Sequence, residues 1–285
     1  MSAAISIRQL AVTFPGGFQK PAVTALHPLD LTVERGAIVG ILGPNGSGKT
    51  TLLRVLAGLQ RETTGLVRVL DLPADATLVR QRVAYQPEGP LPLAVLTGRE
   101  FLQWYGCELR LSDAVADQRA AELLARFQLA NVAQRRVRTY STGMQKRLAL
   151  AAALLGEPEV LLLDEPTSGL DPLGSGMVID VLRERAQRGT TIVMASHHLQ
   201  EVEQICSTVL ALHAGRCVAR GTIDDLLGTG DRTLTVRGLP DSALNGVAED
   251  LQRRGGELID SGRVRQHLFA WFRRLGSGPN SGPQS

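Results

Sequence analysis

One glycine-rich segment, Gly43–Thr50, constrains this chain more than any other feature. It fits the pattern G-x-x-x-x-G-K-[ST] without a mismatch, and the apolar run Ala37–Leu42 precedes it. The residues that follow, Thr51–Leu59, carry apolar side chains at helical spacing. A buried strand, a glycine-rich loop and a helix are therefore predicted in that order. In this context backbone N–H groups and the start of the helix bind phosphate.

The loop is predicted to hold the phosphates of a nucleotide. Lys49 is expected to reach the β- and γ-phosphates, and the hydroxyl of Thr50 to hold Mg²⁺. Composition supports the choice of Lys49, because only Lys20, Lys49 and Lys146 are lysines among 31 basic residues. A compact ammonium fits such a loop, where a planar guanidinium would clash. The predicted nucleotide-binding residues here are Gly43, Pro44, Asn45, Gly46, Ser47, Gly48, Lys49, Thr50 and Thr51.

A second apolar run, Val160–Pro166, ends in two carboxylates. In a chain with a phosphate-binding loop, this pattern reads as the Walker B strand, in which Asp164 orients Mg²⁺ directly or through water. Glu165 follows at the carboxyl end of the strand, where open α/β sheets bind their ligands. It is predicted to polarise the attacking water. The alternative is that both carboxylates only cap a turn before Pro166. That alternative does not explain why the same chain carries a phosphate-binding loop.

The segment Tyr140–Arg147 leads into an alanine- and leucine-rich stretch that Gly156 and Pro158 close. This pattern predicts a helix, with Ser141 and Thr142 as candidates for its N-cap. By itself it would be an ordinary core helix. Its N-terminus nevertheless offers free N–H groups and a hydroxyl, which makes it a second potential phosphate site.

Bulk composition limits the class of protein. With 285 residues, 44% hydrophobic and 21% charged, the chain is ordinary for a globular protein. A net charge of +3 is too small to indicate nucleic acid as a partner. The scattered cysteines, Cys107, Cys206 and Cys217, fit a reduced cytosolic setting. The sequence shows neither a signal-like start nor an apolar run near the ~18–20 residues that span a bilayer, so we expect the chain not to cross a membrane by itself.

The order of these segments resembles the ATP-binding subunits of ABC transporters. In that family a short signature, most often Leu-Ser-Gly-Gly-Gln, lies just before the Walker B strand, and Tyr140–Met144 takes its place here. The resemblance implies that Ser141, Thr142 and Gly143 belong to the nucleotide site, with Ser141 and Gly143 contacting the γ-phosphate. Two departures, Tyr for Leu and Thr for the first Gly, leave that pair intact.

The resemblance implies further site residues. Ser168–Asp171 is similar to the D-loop, which places Asp171 near the nucleotide. The run Thr191–His197 looks like a strand ending in the switch histidine, so that His197 would contact the γ-phosphate and the attacking water. His198 has no assigned role and is read as a solvated surface residue. Phe14 matches the aromatic residue that stacks on adenine, although a place in the core explains it equally well.

The family's Q-loop, which touches Mg²⁺ and contacts the membrane subunit, has two candidates. Counting back from Leu96–Glu100 places Glu88 at this position, and Gln86 is the alternative. Export-type and permease-associated subunits show a similar Tyr-x-Pro-Glu pattern. We therefore assign Glu88 to the Mg²⁺ and nucleotide contacts.

The resemblance covers roughly residues 5–227 and implies an α/β fold, that of a P-loop NTPase of the ABC cassette type. Its core sheet should be mostly parallel, with an antiparallel β region near the N-terminus and a helical signature subdomain at about 87–147, in which residues 100–105 and 114–129 read as amphipathic helices. A cassette over 1–227 is followed by a small α/β appendage at 228–274, in which residues 232–237 and 256–264 read as strands and Ser242 to Arg254 as a helix. The tail, 275–285, is too rich in Gly, Pro and Ser to pack and is predicted to be disordered.

The function that the resemblance implies is ATP hydrolysis that powers a membrane transporter. Two copies of the cassette would bind ATP head to tail, beside a multi-spanning permease at the cytoplasmic face of the membrane. The cargo would be an exported drug, lipid or polysaccharide. Alternatively, the permease would be of the kind that serves nitrous-oxide reductase maturation. The alternative is a soluble ABC-type ATPase acting on the ribosome or on DNA. A DNA-repair type would need a coiled coil between Lys49 and Ser141, and a ribosomal type normally carries two cassettes.

Overall fold

The computed structural model describes residues 3–17, 21–227 and 243–253. By contacts the chain divides into two compact units, residues 1–227 and 228–285. The strands are β1 (Ala3–Phe14), β2 (Val23–Glu34), β3 (Ile38–Leu42), β4 (Thr64–Val69), β5 (Leu72–Pro73), β6 (Val83–Gln86), β7 (Val160–Asp164), β8 (Thr191–Ser196), β9 (Thr208–His213) and β10 (Arg216–Thr222). The helices are α1 (Lys49–Leu56), α2 (Thr77–Arg80), α3 (Gly98–Glu108), α4 (Asp113–Arg126), α5 (Thr142–Leu155), α6 (Pro172–Gln187), α7 (Leu199–Ile205), α8 (Ile223–Leu227) and α9 (Leu244–Arg253).

The N-terminal part of the larger unit is an antiparallel sheet of four strands in the order β2-β1-β4-β5. Its sequence alternates as a half-buried strand requires: in β2, Leu29, Leu31 and Val33 are buried while Asp30 and Thr32 between them are exposed. The buried face packs against the core sheet and α1 in one apolar cluster. This sheet is the antiparallel β region that the sequence predicts.

The core sheet has six strands in the order β10-β9-β3-β8-β7-β6. Neighbouring strands from β9 to β6 pair in parallel, and β10 returns antiparallel to β9. Every residue of β7 and β8 is buried, which explains their continuous apolar runs. Leu162 faces the cluster shared with the antiparallel sheet, whereas Leu161 and Leu163 face the cluster shared with α5 and α6.

Parallel pairing brings the carboxyl ends of β3, β6, β7 and β8 to one edge of the core sheet. Gly43, Gln86, Glu165 and His197 stand at or just beyond those ends. The segments that the sequence singles out from four separate stretches therefore meet along one edge.

The helices α3, α4 and α5 pack around a common apolar cluster that includes Phe101, Leu124 and Leu148. The helix expected over 114–129 ends at Arg126, because Gln128 takes a left-handed backbone conformation with φ 55°. The helix expected around residues 100–105 is longer than predicted, since a reciprocal capping box between Thr97 and Glu100 starts it at Gly98.

In the smaller unit the structure describes α9, which falls within the helix predicted from Ser242 to Arg254. The strands predicted at 232–237 and 256–264 and the disordered tail predicted at 275–285 lie outside the described residues. Of the helices that the structure describes, none combines the length and the apolar character needed to cross a membrane.

Candidate functional site

The glycine-rich loop turns directly from β3 into α1. Gly43 has φ 156°, and a Cβ there would lie 2.2 Å from the carbonyl oxygen of Leu212, so only glycine fits. Gly48, with φ 103°, is the N-cap of α1. Lys49 is 6% exposed, and its Nζ donates hydrogen bonds to the carbonyl oxygens of Gly43 (2.7 Å) and Pro44 (3.2 Å). The ammonium therefore lies inside the curve of the loop, where its charge can meet phosphate oxygens.

The remaining residues of the loop divide into an exposed rim and a buried base. Pro44, Asn45 and Gly46 are exposed, whereas Ser47 is buried. The Ser47 carbonyl oxygen accepts a hydrogen bond from the backbone N–H of Gly215, at 3.1 Å, which ties the loop to the β9–β10 turn. Within the described residues its buried Oγ has no hydrogen-bond partner. Thr51 is half-buried in the first turn of α1.

Asp164 and Thr50 form the candidate metal end of the site. The Thr50 hydroxyl donates to Oδ2 of Asp164 at 2.7 Å, and Asp164 is 1% exposed. Burial raises the pKa of the Asp164 carboxyl, and the charges of Glu88 and Glu165 raise it further; the Thr50 hydrogen bond and Lys49 act in the opposite direction. A hydroxyl beside a cluster of carboxylates is a set of hard oxygen ligands, which is the chemistry that Mg²⁺ prefers.

Glu165 and His197 meet at the ends of β7 and β8. Oε2 of Glu165 lies 2.9 Å from Nδ1 of His197 and accepts a hydrogen bond from its backbone N–H at 3.4 Å. The Glu165 N–H donates to the carbonyl oxygen of Ala195, and the residue holds a left-handed backbone conformation with φ 51°. Such a conformation is costly for a side chain other than glycine or asparagine and is common at functional sites. It aims a buried carboxylate at the edge of the sheet where the phosphate loop opens.

The two Q-loop candidates lie in different environments. Gln86 ends β6 and is 3% exposed, and within the described part of the chain its buried Oε1 has no hydrogen-bond partner. Glu88 is exposed, yet its charge raises the pKa of both Asp164 and Lys146. Glu88 is thus the candidate that acts electrostatically on the predicted Mg²⁺ ligand.

Sequence reasoning missed two residues near these carboxylates. Burial lowers the pKa of Lys146 in α5, and the charges of Glu88, Glu165 and Asp164 raise it. Burial raises the pKa of Tyr85 in β6, and the charge of Asp164 raises it further. The rarity of lysine in this chain was the one signal that could have drawn attention to Lys146. Tyr85 belongs to the Tyr-x-Pro-Glu pattern, but the pattern was used to locate Glu88, and an aromatic residue in a strand is usually core.

The signature segment lies beside the predicted D-loop. Ser141 is the N-cap of α5, its Oγ accepting from the Met144 N–H at 3.2 Å. A Cβ on Gly143 would lie 3.3 Å from Leu170, and one on Gly169 would lie 3.5 Å from Thr142. Ser141 and Thr142 are exposed. Within the described residues, no hydrogen bond joins this segment to the glycine-rich loop.

Two other predicted residues have local environments of their own. Asp171 caps α6, its Oδ1 accepting from the Gly174 N–H at 2.7 Å, which gives this exposed carboxylate a structural role. Phe14 ends β1 opposite Val23 and is 39% exposed, so its ring is not part of the core.

A phosphate loop between β3 and α1, with β7 ending beside its threonine, places the chain among the P-loop nucleotide-hydrolysing proteins. Residues 26–168 match the family model described as ABC transporter. The chain therefore belongs to the ABC transporter family, in which it is an ATP-binding subunit and an ATPase. The family, the fold class and the ATPase activity expected from the sequence are confirmed.

Relatives and solved structures agree on this family. The daunorubicin resistance ATP-binding protein DrrA3 of Streptomyces coeruleorubidus is 42% identical over 243 residues, 84% of this chain and 76% of the relative. The ABC transporter ATP-binding protein NatA of Bacillus subtilis is 35% identical over 73% of this chain and 86% of its own length. A solved ATP-binding subunit of an ABC transporter superimposes with TM-score 0.70 at 29% identity, over 86% of this chain and 98% of the other.

A further solved structure is an ATP-binding cassette in a dimeric, post-hydrolysis state bound to ADP and Pi. It has TM-score 0.70 and 25% identity, over 77% of this chain and 98% of that one. The individual site residues assigned above stay predictions.

Proposed function

We propose that two copies of this chain bind ATP head to tail, each nucleotide held between the glycine-rich loop of one copy and the signature segment of the other. The observation that carries the proposal is that one chain has one of each, with the exposed Ser141 free to face a second molecule. The dimeric cassette bound to ADP and Pi supports it. Closure and opening of this dimer would drive the transporter.

Within one half-site, the chain's own side chains divide the work. Lys49 contacts the β- and γ-phosphates. Thr50 and Asp164 would hold Mg²⁺, which would neutralise phosphate charge. The exposed Glu88 would add a further contact to the ion and the nucleotide from the Q-loop. Glu165 polarises the attacking water, while the 2.9 Å contact from His197 Nδ1 orients its carboxylate. Phe14 stacks on adenine, and Asp171 contacts the nucleotide from the D-loop.

We further propose an exporter as the complete machine. The relatives include proteins named for daunorubicin resistance and for Nod factor export, which supports export as the direction of transport. The chain would act from the cytoplasmic face, bound to a multi-spanning permease. Purification from membranes of its native host should recover such a permease, and recovery of ribosomes or DNA in its place would contradict this assignment.

The nucleotide sandwich is tested with three variants. Glu165→Gln should keep ATP binding, lower turnover by about 10²–10⁴ and form an ATP-dependent dimer that ADP does not support. Lys49→Ala should lose ATP binding or hydrolysis, because the phosphate charge loses its countercharge.

In the Glu165→Gln background, Ser141→Arg should abolish the dimer, since bulk and charge then occupy the γ-phosphate position. Light scattering after size-exclusion chromatography measures the mass; an unchanged ATP dimer with Ser141→Arg would remove the signature from the sandwich.

A further inference from the structure

One side-chain cluster at the edge of the site combines imidazole nitrogens with a carboxylate, whereas the proposed Mg²⁺ ligands are all oxygens. Glu165, His197 and His198 each offer one ligand atom, and these atoms all lie within 4.8 Å of one another. The imidazole rings of the two histidines are 4.1 Å apart between centroids. Among the described residues this is the only group of three or more such side chains.

Two imidazoles and one carboxylate are a zinc ligand set that leaves a fourth position for water. Zinc lies about 2.0–2.2 Å from such ligands, so neighbouring ligand atoms in a tetrahedral site are about 3.3–3.6 Å apart. The 2.9 Å between His197 Nδ1 and Glu165 Oε2 is shorter than that spacing, so binding requires these two atoms to move apart by about half an ångström to admit the ion between them.

The surroundings suit entry of an ion from solvent. His197 and His198 are exposed, whereas Glu165 is 4% exposed and anchored from the sheet. The His198 backbone is fixed, because its N–H donates to Ser196 Oγ at 3.0 Å and the residue is the N-cap of α7. Mg²⁺ competes poorly for imidazole nitrogens, which favour zinc and similar transition metals.

We propose that this cluster binds a divalent transition-metal ion of the zinc class, and that the bound ion inhibits ATP hydrolysis. His198 has a function in this proposal that the hydrolytic mechanism does not give it. The metal occupies the carboxylate oxygen that would polarise water and ties down the His197 ring. Binding is independent of the proposed function, whereas inhibition rests on it.

Binding is tested on the full chain without nucleotide. The exposed thiols Cys107 and Cys217 are first replaced by Ser, because thiolates also bind zinc. Zn²⁺ titrated against a chromophoric chelator should show one site per chain. His198→Ala should weaken it at least tenfold, and the matched control His213→Ala, an exposed histidine elsewhere, should leave it unchanged. Absence of a site, or equal affinity in His198→Ala, overturns the proposal.

Inhibition is tested in the same background at constant free Mg²⁺. Zn²⁺ should inhibit turnover, and His198→Ala should keep its turnover without Zn²⁺ while needing at least tenfold more Zn²⁺ for half-inhibition. Equal sensitivity in both proteins overturns inhibition through this cluster. Zinc that binds at His198 but leaves turnover intact would overturn the inhibition while the binding site stands; the role of Glu165 is decided separately by turnover of Glu165→Gln.

Discussion

Asp164 is a buried carboxylate at the end of β7 whose environment opposes its ionisation. Its pKa is raised by burial and by the neighbouring charges of Glu88 and Glu165. The unfolded chain therefore ionises this group at lower pH than the folded chain does, and the charge destabilises the fold without a cation. The ionised Asp164 would therefore favour metal binding, but it lowers the stability of the metal-free protein.

Asp164→Asn should stabilise the protein without nucleotide, because the amide keeps an acceptor for Thr50 and carries no charge. We expect Tm to rise by roughly 2–4 °C at pH 7.5, equal to about 1 kcal/mol. Below the unfolded pKa of about 3.9, Asp164 is protonated in both the folded and the unfolded chain, so its charge costs the fold no stability. The loss of folding free energy grows as the pH rises from that value through the folded pKa. The gain should therefore narrow as the pH falls towards about 4, close to the unfolded pKa. Calorimetry at both pH values checks this, and a lower Tm for the variant at pH 7.5 would contradict it.

The assignment of Glu88 to the Q-loop predicts different effects for two neighbouring residues. Glu88→Ala should raise the Mg²⁺ concentration for half-maximal turnover severalfold, because it removes the side-chain oxygen that we propose contacts Mg²⁺, an oxygen that Glu88→Gln keeps. Gln86→Ala should be nearly silent, since its buried Oε1 makes no hydrogen bond within the described residues. Glu88→Gln, of similar size, serves as the matched control and should be tolerated.

The measurement is ATPase activity across a Mg²⁺ titration, made on the chain reconstituted with its proposed permease. A large defect for Gln86→Ala with none for Glu88→Ala would move the assignment to Gln86.

At the scale of elements, helix caps fix where the site's helices begin. Thr97 and Glu100 form a reciprocal box at the start of α3: the Thr97 hydroxyl accepts from the Glu100 N–H at 3.2 Å, and Glu100 accepts from the Thr97 N–H at 2.7 Å. Accepting from Thr97 lowers the pKa of the Glu100 carboxyl. Ser141 and Asp171 are the N-caps of α5 and α6, and each side chain accepts one backbone N–H. Two of the three capping residues are therefore also predicted nucleotide contacts.

Thr97→Ala separates capping from nucleotide binding, because Thr97 lies outside the predicted nucleotide contacts. The lost cap should cost about 1 kcal/mol and lower Tm by roughly 2–4 °C, with turnover per folded molecule unchanged. Thr97→Ser keeps the hydroxyl and should stay close to the wild-type Tm. Chemical denaturation gives the free energy of unfolding, and an Ala variant as stable as the Ser variant would show that the box does not stabilise α3.

At the scale of the whole molecule, local sequence predicted many of the strands and helices, but it predicted little of how they pack together within the chain. The strand and helix around Gly43–Thr50 follow from residues next to one another, so they were predictable. The order of strands in the core sheet, with β3 between β8 and β9, depends on pairing across more than 150 residues. The electrostatic effect of Asp164 on Lys146 arises only once α5 packs beside β6, the strand next to β7. The ring contact of His197 with His198 was missed because adjacency in sequence does not specify how two rings face.

The absence of any hydrogen bond, among the described residues, between Ser141–Met144 and the glycine-rich loop has a genetic consequence. In a head-to-tail dimer, a Lys49→Ala chain still offers an intact signature, and a Ser141→Arg chain still offers an intact loop. Each allele alone leaves no complete site, whereas a mixed dimer assembles one. Coexpression of the two inactive alleles should therefore restore part of the ATPase activity. A mixture as inactive as its components would mean that loop and signature act within the same chain.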